Sequence, residues 1–158
     1  SQNIDDTTIE GFEAGWNTRF GAREQFALDG SAFYARGDNE GTGQPINSVG
    51  PAQVVVGLGW LSADENRQLR LKSRFTAAYD RIDESAGDMF KPAGHAVFDL
   101  YLTQKLGNHA VMRAGLHNLT DRTYWNWSDV RGLAPDDPMI PYLSQAGRTM
   151  SVSLHLVW

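Results

Sequence analysis

Apolar and polar residues alternate with a period of two along this chain, in about seven separate stretches, and no other feature restricts its fold as sharply. The clearest stretch is near the end: Met150, Val152, Leu154, Leu156 and Trp158 alternate with Thr149, Ser151, Ser153 and His155. A helix would scatter those apolar positions around its axis, whereas a strand puts them all on one face. Ala96, Phe98, Leu100 and Leu102 alternate with Asp99, Tyr101 and Thr103, and Ala110, Met112, Ala114 and Leu116 with Arg113, Gly115 and His117. Leu69, Leu71, Phe75, Ala77 and Tyr79 alternate with Arg70, Lys72, Arg74 and Thr76. Weaker versions occupy 9–20, 25–36 and 53–61. The pattern predicts an all-β chain folded as an antiparallel meander of about seven long strands.

The connections are sorted by length. Short ones fall near 21–24, 62–68 and 107–109, and long polar ones near 37–51, 82–94 and 120–146. In a meander every second connection lies at the same end, so one end carries tight turns and the other long loops. Outer-membrane barrels do this systematically. Strands of about 10–12 residues also suit a tilted bilayer crossing, whereas soluble strands usually run about 5–6. The alternative is a soluble β-sandwich that binds a carbohydrate or protein through its long-loop end, with a second sheet covering the apolar face.

In a bilayer the facing is strongly fixed. Turning the Leu69–Tyr79 stretch over would bring Arg70, Lys72 and Arg74 to lipid, at a cost on the order of 6–12 kcal/mol. These three, with Glu13, Arg19, Asp99 and Arg113, are expected to line the lumen. Trp16, Trp60, Tyr79 and Trp158 lie near strand ends, where amphipathic rings anchor at headgroup level. Seven strands are an odd number, and an unclosed sheet in lipid leaves two rows of backbone groups unpaired. These residues are therefore expected to be part of a larger barrel.

The stretch Leu116-His117-Asn118-Leu119-Thr120-Asp121-Arg122-Thr123-Tyr124, followed by a terminal Gly147-Arg148-Thr149 strand, resembles the C-terminus of TonB-dependent outer-membrane receptors. Trp125-Asn126-Trp127-Ser128-Asp129-Val130-Arg131-Gly132 and Ile46-Asn47-Ser48-Val49-Gly50-Pro51-Ala52 resemble the branch that takes up haem and haem proteins. The likeness covers most of 46–158. It implies a transmembrane barrel of about 22 strands with a plugged lumen, of which residues 1–158 form the C-terminal segment, the plug domain and earlier strands being absent. It also implies an active-transport receptor of the bacterial outer membrane. Its partners would be the remainder of the receptor (plug and other strands), the TonB complex acting through the plug, outer-membrane lipid and an extracellular haem protein. Two features depart from the pattern. The chain ends in Trp158 where the family usually has Phe, and the Phe-Arg-Ala-Pro and Asn-Pro-Asn-Leu motifs that flank the external haem-binding histidine of that branch do not occur.

Within the segment, the candidate ligand contacts in external loops are His95, His117, Tyr124, Trp125, Trp127 and Arg131. The two histidines lie at the loop ends of their strands, and the three aromatics offer large rigid surfaces to a porphyrin or a protein. Each has a plainer role available: a structural hydrogen bond for the histidines, and interfacial anchoring of the longest loop for the aromatics. Arg131 can also pair with Asp129 inside that loop. His109 and His155 fall at the opposite end and are not expected to bind ligand. No histidine pair has metal-binding spacing, so no metal site and no intrinsic cofactor are expected, with haem entering as transported ligand.

Composition excludes other classes. Nineteen acidic against 14 basic residues argue against nucleic acid as a partner, and the absence of cysteine removes thiolate sites and disulfides. No run approaches the roughly 18 apolar residues of a membrane helix, and the first residues show no signal-peptide pattern. Gly-x-Ser-x-Gly, the phosphate-loop motif and His-Glu-x-x-His are all absent, so no catalytic residue is assigned. An outer-membrane lipid-modifying enzyme is the least supported reading.

Overall fold

The computed structural model describes residues 6–156, so Trp158 lies outside the described residues. Seven strands, β1 (Thr7–Phe20), β2 (Phe26–Asn39), β3 (Gln53–Leu61), β4 (Arg67–Thr76), β5 (His95–Leu106), β6 (Ala110–His117) and β7 (Thr149–Leu156), form one sheet in chain order. Every neighbouring pair is antiparallel. The connections at 21–25, 62–66 and 107–109 are tight turns at one end, and those at 40–52, 77–94 and 118–148 are long loops at the other. The last loop contains a one-turn helix, α1 (Trp127–Val130), and a 3₁₀ turn over Ile140–Leu143. Neither is visible in the strand periodicity.

The register carries the alternation across the whole sheet. Leu28, Leu58, Leu71, Leu100, Leu116 and Met150 are successive cross-strand partners from β2 to β7, forming one apolar row on one face. Gly57, Lys72 and Asp99 make a row on the other face. A slip of one residue in any pair would exchange the two faces along that strand, so keeping the apolar residues on one face specifies the register. That face is bare of protein: on β7, Met150 is 79% and Val152 69% exposed. No second sheet covers it among the described residues, which sets aside the sandwich alternative.

Apart from Val97 on β5, the buried apolar residues are not in the sheet. Val49, Ile82, Trp127, Val130 and Ile140 all belong to the three long loops, so the small protein-built core sits at the loop end. Strand lengths differ from expectation in detail. β1 and β2 reach 14 residues, while β6 and β7 have 8. β4 ends at Thr76 rather than Tyr79 because its partner begins only at His95, opposite Thr76, leaving residues beyond it no strand to pair with.

Candidate functional site

Trp127 organises the loop end. It is 4% exposed in α1 and donates its indole N–H to the Asn47 carbonyl at 2.9 Å. Its ring lies 5.2 Å from that of Tyr79. Asn47 is itself paired to the second loop, donating from Nδ2 to the Asp83 carbonyl (2.9 Å) and accepting the Asp83 N–H (2.7 Å). The loops 40–52, 77–94 and 118–148 thus meet at Asn47 and Trp127. Trp125 donates from Nε1 to the Ile140 carbonyl at 2.7 Å and takes the edge of Phe90 at 5.5 Å. Arg81 reaches back to the Gly37 carbonyl and the Asp38 carboxylate at the end of β2. Burial raises the Tyr79 hydroxyl above its ordinary pKa, and the Lys91 ammonium holds the Glu84 carboxyl below the usual range.

Asn118 fastens the base of the longest loop. It is 4% exposed at φ 50°, a left-handed conformation that asparagine tolerates better than most residues. Its side chain accepts the Arg122 N–H (2.9 Å) and donates to the carbonyls of Arg122 (2.9 Å) and Ala146 (3.2 Å). Its own N–H goes to Asp99 Oδ1 on β5 at 2.9 Å. Asp121, also at positive φ, accepts the Arg148 N–H at 2.6 Å beside the start of β7. The Asn-Leu-Thr-Asp stretch is therefore a clasp that closes a loop of some thirty residues at its neck.

Of the residues expected to touch ligand, His95 and Tyr124 come together, with ring centroids 4.4 Å apart and Nδ1 of His95 3.3 Å from the Ala93 carbonyl. His117 sits lower on the polar face, edge-on to Tyr101 at 5.4 Å, with Nε2 3.1 Å from the Ser151 hydroxyl. Trp125 and Trp127 are committed to carbonyls in the loop core; Trp127 is buried there, whereas Trp125 is half-buried and keeps part of its ring surface for contact. The Asp129–Arg131 pairing is not formed. Asp129 instead accepts from Asn126, Ser128 and Gln145, and the exposed Arg131 has no acidic partner among the described residues. No group of three or more metal-ligating side chains occurs among the described residues.

The anchors differ in position. Trp60 is at the tight-turn end of β3 opposite Phe26, which stacks on Phe20 at 5.4 Å. Trp16 lies over Gly30, its cross-strand partner, where a Cβ would fall 2.2 Å from the Trp16 ring. Tyr79 is off the sheet, against Trp127. Below the loops, Arg70 on β4 and Asp29 on β2 form a two-pronged ion pair at 2.7 and 2.8 Å. It passes over β3 at Gly57, where any Cβ would meet the guanidinium at 2.6 Å.

Sequence reasoning missed the partnership of Asn47 with Asp83 and Trp127, although Asn47 lies in one of the stretches quoted for the haem-branch likeness. Asn118 stood inside a quoted motif, but no periodic signal shows what its amide closes.

A family model described as TonB-dependent receptor-like, β-barrel, matches residues 1–119. Among curated proteins, a stretch of 104 residues is 27% identical to haemoglobin-haptoglobin utilization protein B of Neisseria meningitidis serogroup A, covering 60% of this chain and 13% of that protein. A stretch of 102 residues is 26% identical to the haemoglobin and haemoglobin-haptoglobin-binding protein of Haemophilus ducreyi, covering 58% and 10% respectively. Among solved structures, the copper transporter OprC superposes with a TM-score of 0.79 over 95% of this chain and 24% of its own, at 22% identity. The ferric enterobactin receptor PfeA of Pseudomonas aeruginosa, solved as a mutant, gives 0.71 over 96% and 22%, also at 22% identity. The chain spans between a tenth and a quarter of each of these proteins. The two structures share its fold.

Proposed function

We propose that this chain, which belongs to the TonB-dependent receptor family of β-barrels and so lies in the bacterial outer membrane, is a wall segment of an active-transport receptor that takes up haem or iron from a haem protein. The observation that carries this reading is the bare apolar face of a sheet whose long loops all gather at one end, over the opposite, polar face. An apolar face without a protein partner suits hydrocarbon, and a consolidated set of loops at one mouth suits capture of a ligand from outside. Edge strands β1 and β7 each present an unpaired row of backbone groups, at a cost of several kcal/mol per group in lipid, so further strands of the same receptor complete the wall. On the C-terminal likeness noted above, these are the closing strands. The plug fills the lumen against Arg70, Lys72, Arg74 and Asp99, and its link to the TonB complex supplies the energy.

The choice of haem is supported by the relatives named for haemoglobin and haemoglobin-haptoglobin. The structural neighbours are named for copper and ferric enterobactin, and their likeness is one of fold. His95, His117, Tyr124, Trp125 and Arg131 are the contacts this segment offers, with Trp127 buried beneath them as the support of the loops, as auxiliaries to a principal haem ligand elsewhere in the receptor. Titrating the full-length receptor with haem and with haemoglobin, and growing a deletion strain on each as sole iron source, tests the reading. A shifted Soret band and growth restored only by the intact gene are expected. Restoration by a ferric chelate or copper, with no response to haem, would overturn it.

A further inference from the structure

The polar face and the loops above it border a half-open cavity of about 310 Å³ at the loop end of β2, β3 and β4. Its floor is one cross-strand row, Phe33, Gln53 and Thr76, in which Gln53 Nε2 donates to the Thr76 hydroxyl at 3.2 Å. Its roof comes from the longest loop, with Trp127 and Arg131 among the lining residues. Three properties define what fits. The Arg131 guanidinium is the single formal charge in the lining and has no ion-pair partner among the described residues, because Asp129 is held by Asn126, Ser128 and Gln145. The Phe33 ring is 46% exposed and supplies a flat apolar surface. The volume is at the lower limit of small-molecule sites, about 300–1,000 Å³, and so suits one edge of a larger ligand.

We infer that this cavity is a subsite for a carboxylate carried on a flat aromatic ring system, with the carboxylate on Arg131 and the ring edge on Phe33. A guanidinium binds a carboxylate through two parallel N–H···O bonds, which fixes orientation as well as charge. The assignment rests on the receptor reading above, since haem presents two carboxylates along one edge of its porphyrin.

The test uses full-length receptor in detergent, with three probes: protoporphyrin IX, its dimethyl ester and haem. Arg131→Gln should weaken protoporphyrin binding by about tenfold or more, the usual scale for a lost charged hydrogen bond, and leave the ester unchanged. Arg131→Lys should recover part of the loss. Arg131 is exposed, and unchanged heat-modifiable migration of the variants confirms that they fold. Equal affinity of wild type for acid and ester, or of wild type and Arg131→Gln for the acid, would overturn the subsite. Haem binding and haem-dependent growth that ignore Arg131 would overturn the subsite while keeping the haem reading. Arg131-dependent protoporphyrin binding without haem-dependent growth would do the reverse. Failure of all three probes to bind would overturn both.

Discussion

The indole N–H of Trp127 meets the carbonyl oxygen of Asn47 at 2.9 Å, joining residues 80 apart in sequence. Asn47 then pairs twice with Asp83, so one contact holds three loops. Trp127→Phe removes the hydrogen bond and keeps most of the ring, at a cost of about 1 kcal/mol. Trp127→Ala also empties the core of the loop end, costing about 3–5 kcal/mol. Hydrogen exchange at the amides of Val49 and Asp83 should rise in that order. Exchange indistinguishable from wild type in both variants would show that the loops are held by other contacts.

Asn118 combines a left-handed backbone with three side-chain and two main-chain hydrogen bonds. Asn118→Ala keeps the two main-chain bonds, the N–H to Asp99 and the carbonyl to the Asp121 N–H, loses all three side-chain bonds and adds the left-handed penalty, for a loss of roughly 2–4 kcal/mol. Asn118→Gly relieves the backbone but still leaves the Arg122 N–H and the Ala146 carbonyl without their partner. Denaturant unfolding of the refolded receptor should therefore rank wild type above Gly and Gly above Ala. Equal midpoints would mean that the clasp contributes nothing to the fold.

What could be read from the sequence follows from the range of each signal. Strand existence, antiparallel order and the sorting of turns from loops are all carried by residues two apart or by chain length between strands, and the register rows through Leu58, Leu71 and Leu100 agree with them. The end of β4 was misplaced because Ala77 and Tyr79 continue the alternation after the partner strand has stopped. The loop core was not legible: Trp127 finds Asn47 and Tyr79 across long stretches of chain with no periodicity to link them. The crossing over β3 was not legible either: the missing side chain of Gly57 lets Arg70 reach Asp29, and no periodic signal links those three residues.

That last relationship makes its own prediction. Gly57→Val places a side chain where the guanidinium now lies, and overpacking of this kind costs about 1–3 kcal/mol. Arg70→Gln alone should cost no more than about 1 kcal/mol, because both partners are a third or so exposed. If Gly57→Val is as mild as Arg70→Gln in the same unfolding assay, the crossing over β3 is not sterically tight.

At the tight-turn end, the Ser62 hydroxyl and then the Asn66 N–H hold the Asp64 carboxyl down to about 2, from an ordinary 3.8. Because the folded value is depressed, the stabilisation of the turn is fully present above the unfolded value. It is lost as pH falls through 3.8 toward 2. Carbon-13 titration of the Asp64 carboxyl should give a midpoint near 2, with exchange of the Asn66 amide accelerating over the same interval. A midpoint at 3.8 would contradict the hydrogen-bonded turn.

The most direct test of the account is a nitroxide scan along β4 and β5 of the full-length receptor in proteoliposomes. Labels at Leu69, Leu71, Phe98 and Leu100 should be accessible to oxygen and shielded from a water-soluble nickel chelate. Labels at Arg70, Lys72, Val97 and Asp99 should not share that lipid signature, giving a period of two in phase with the register. Labels on the Leu71 and Leu100 row that are shielded from both reagents would mean that protein covers this face, and the membrane-wall account would fall.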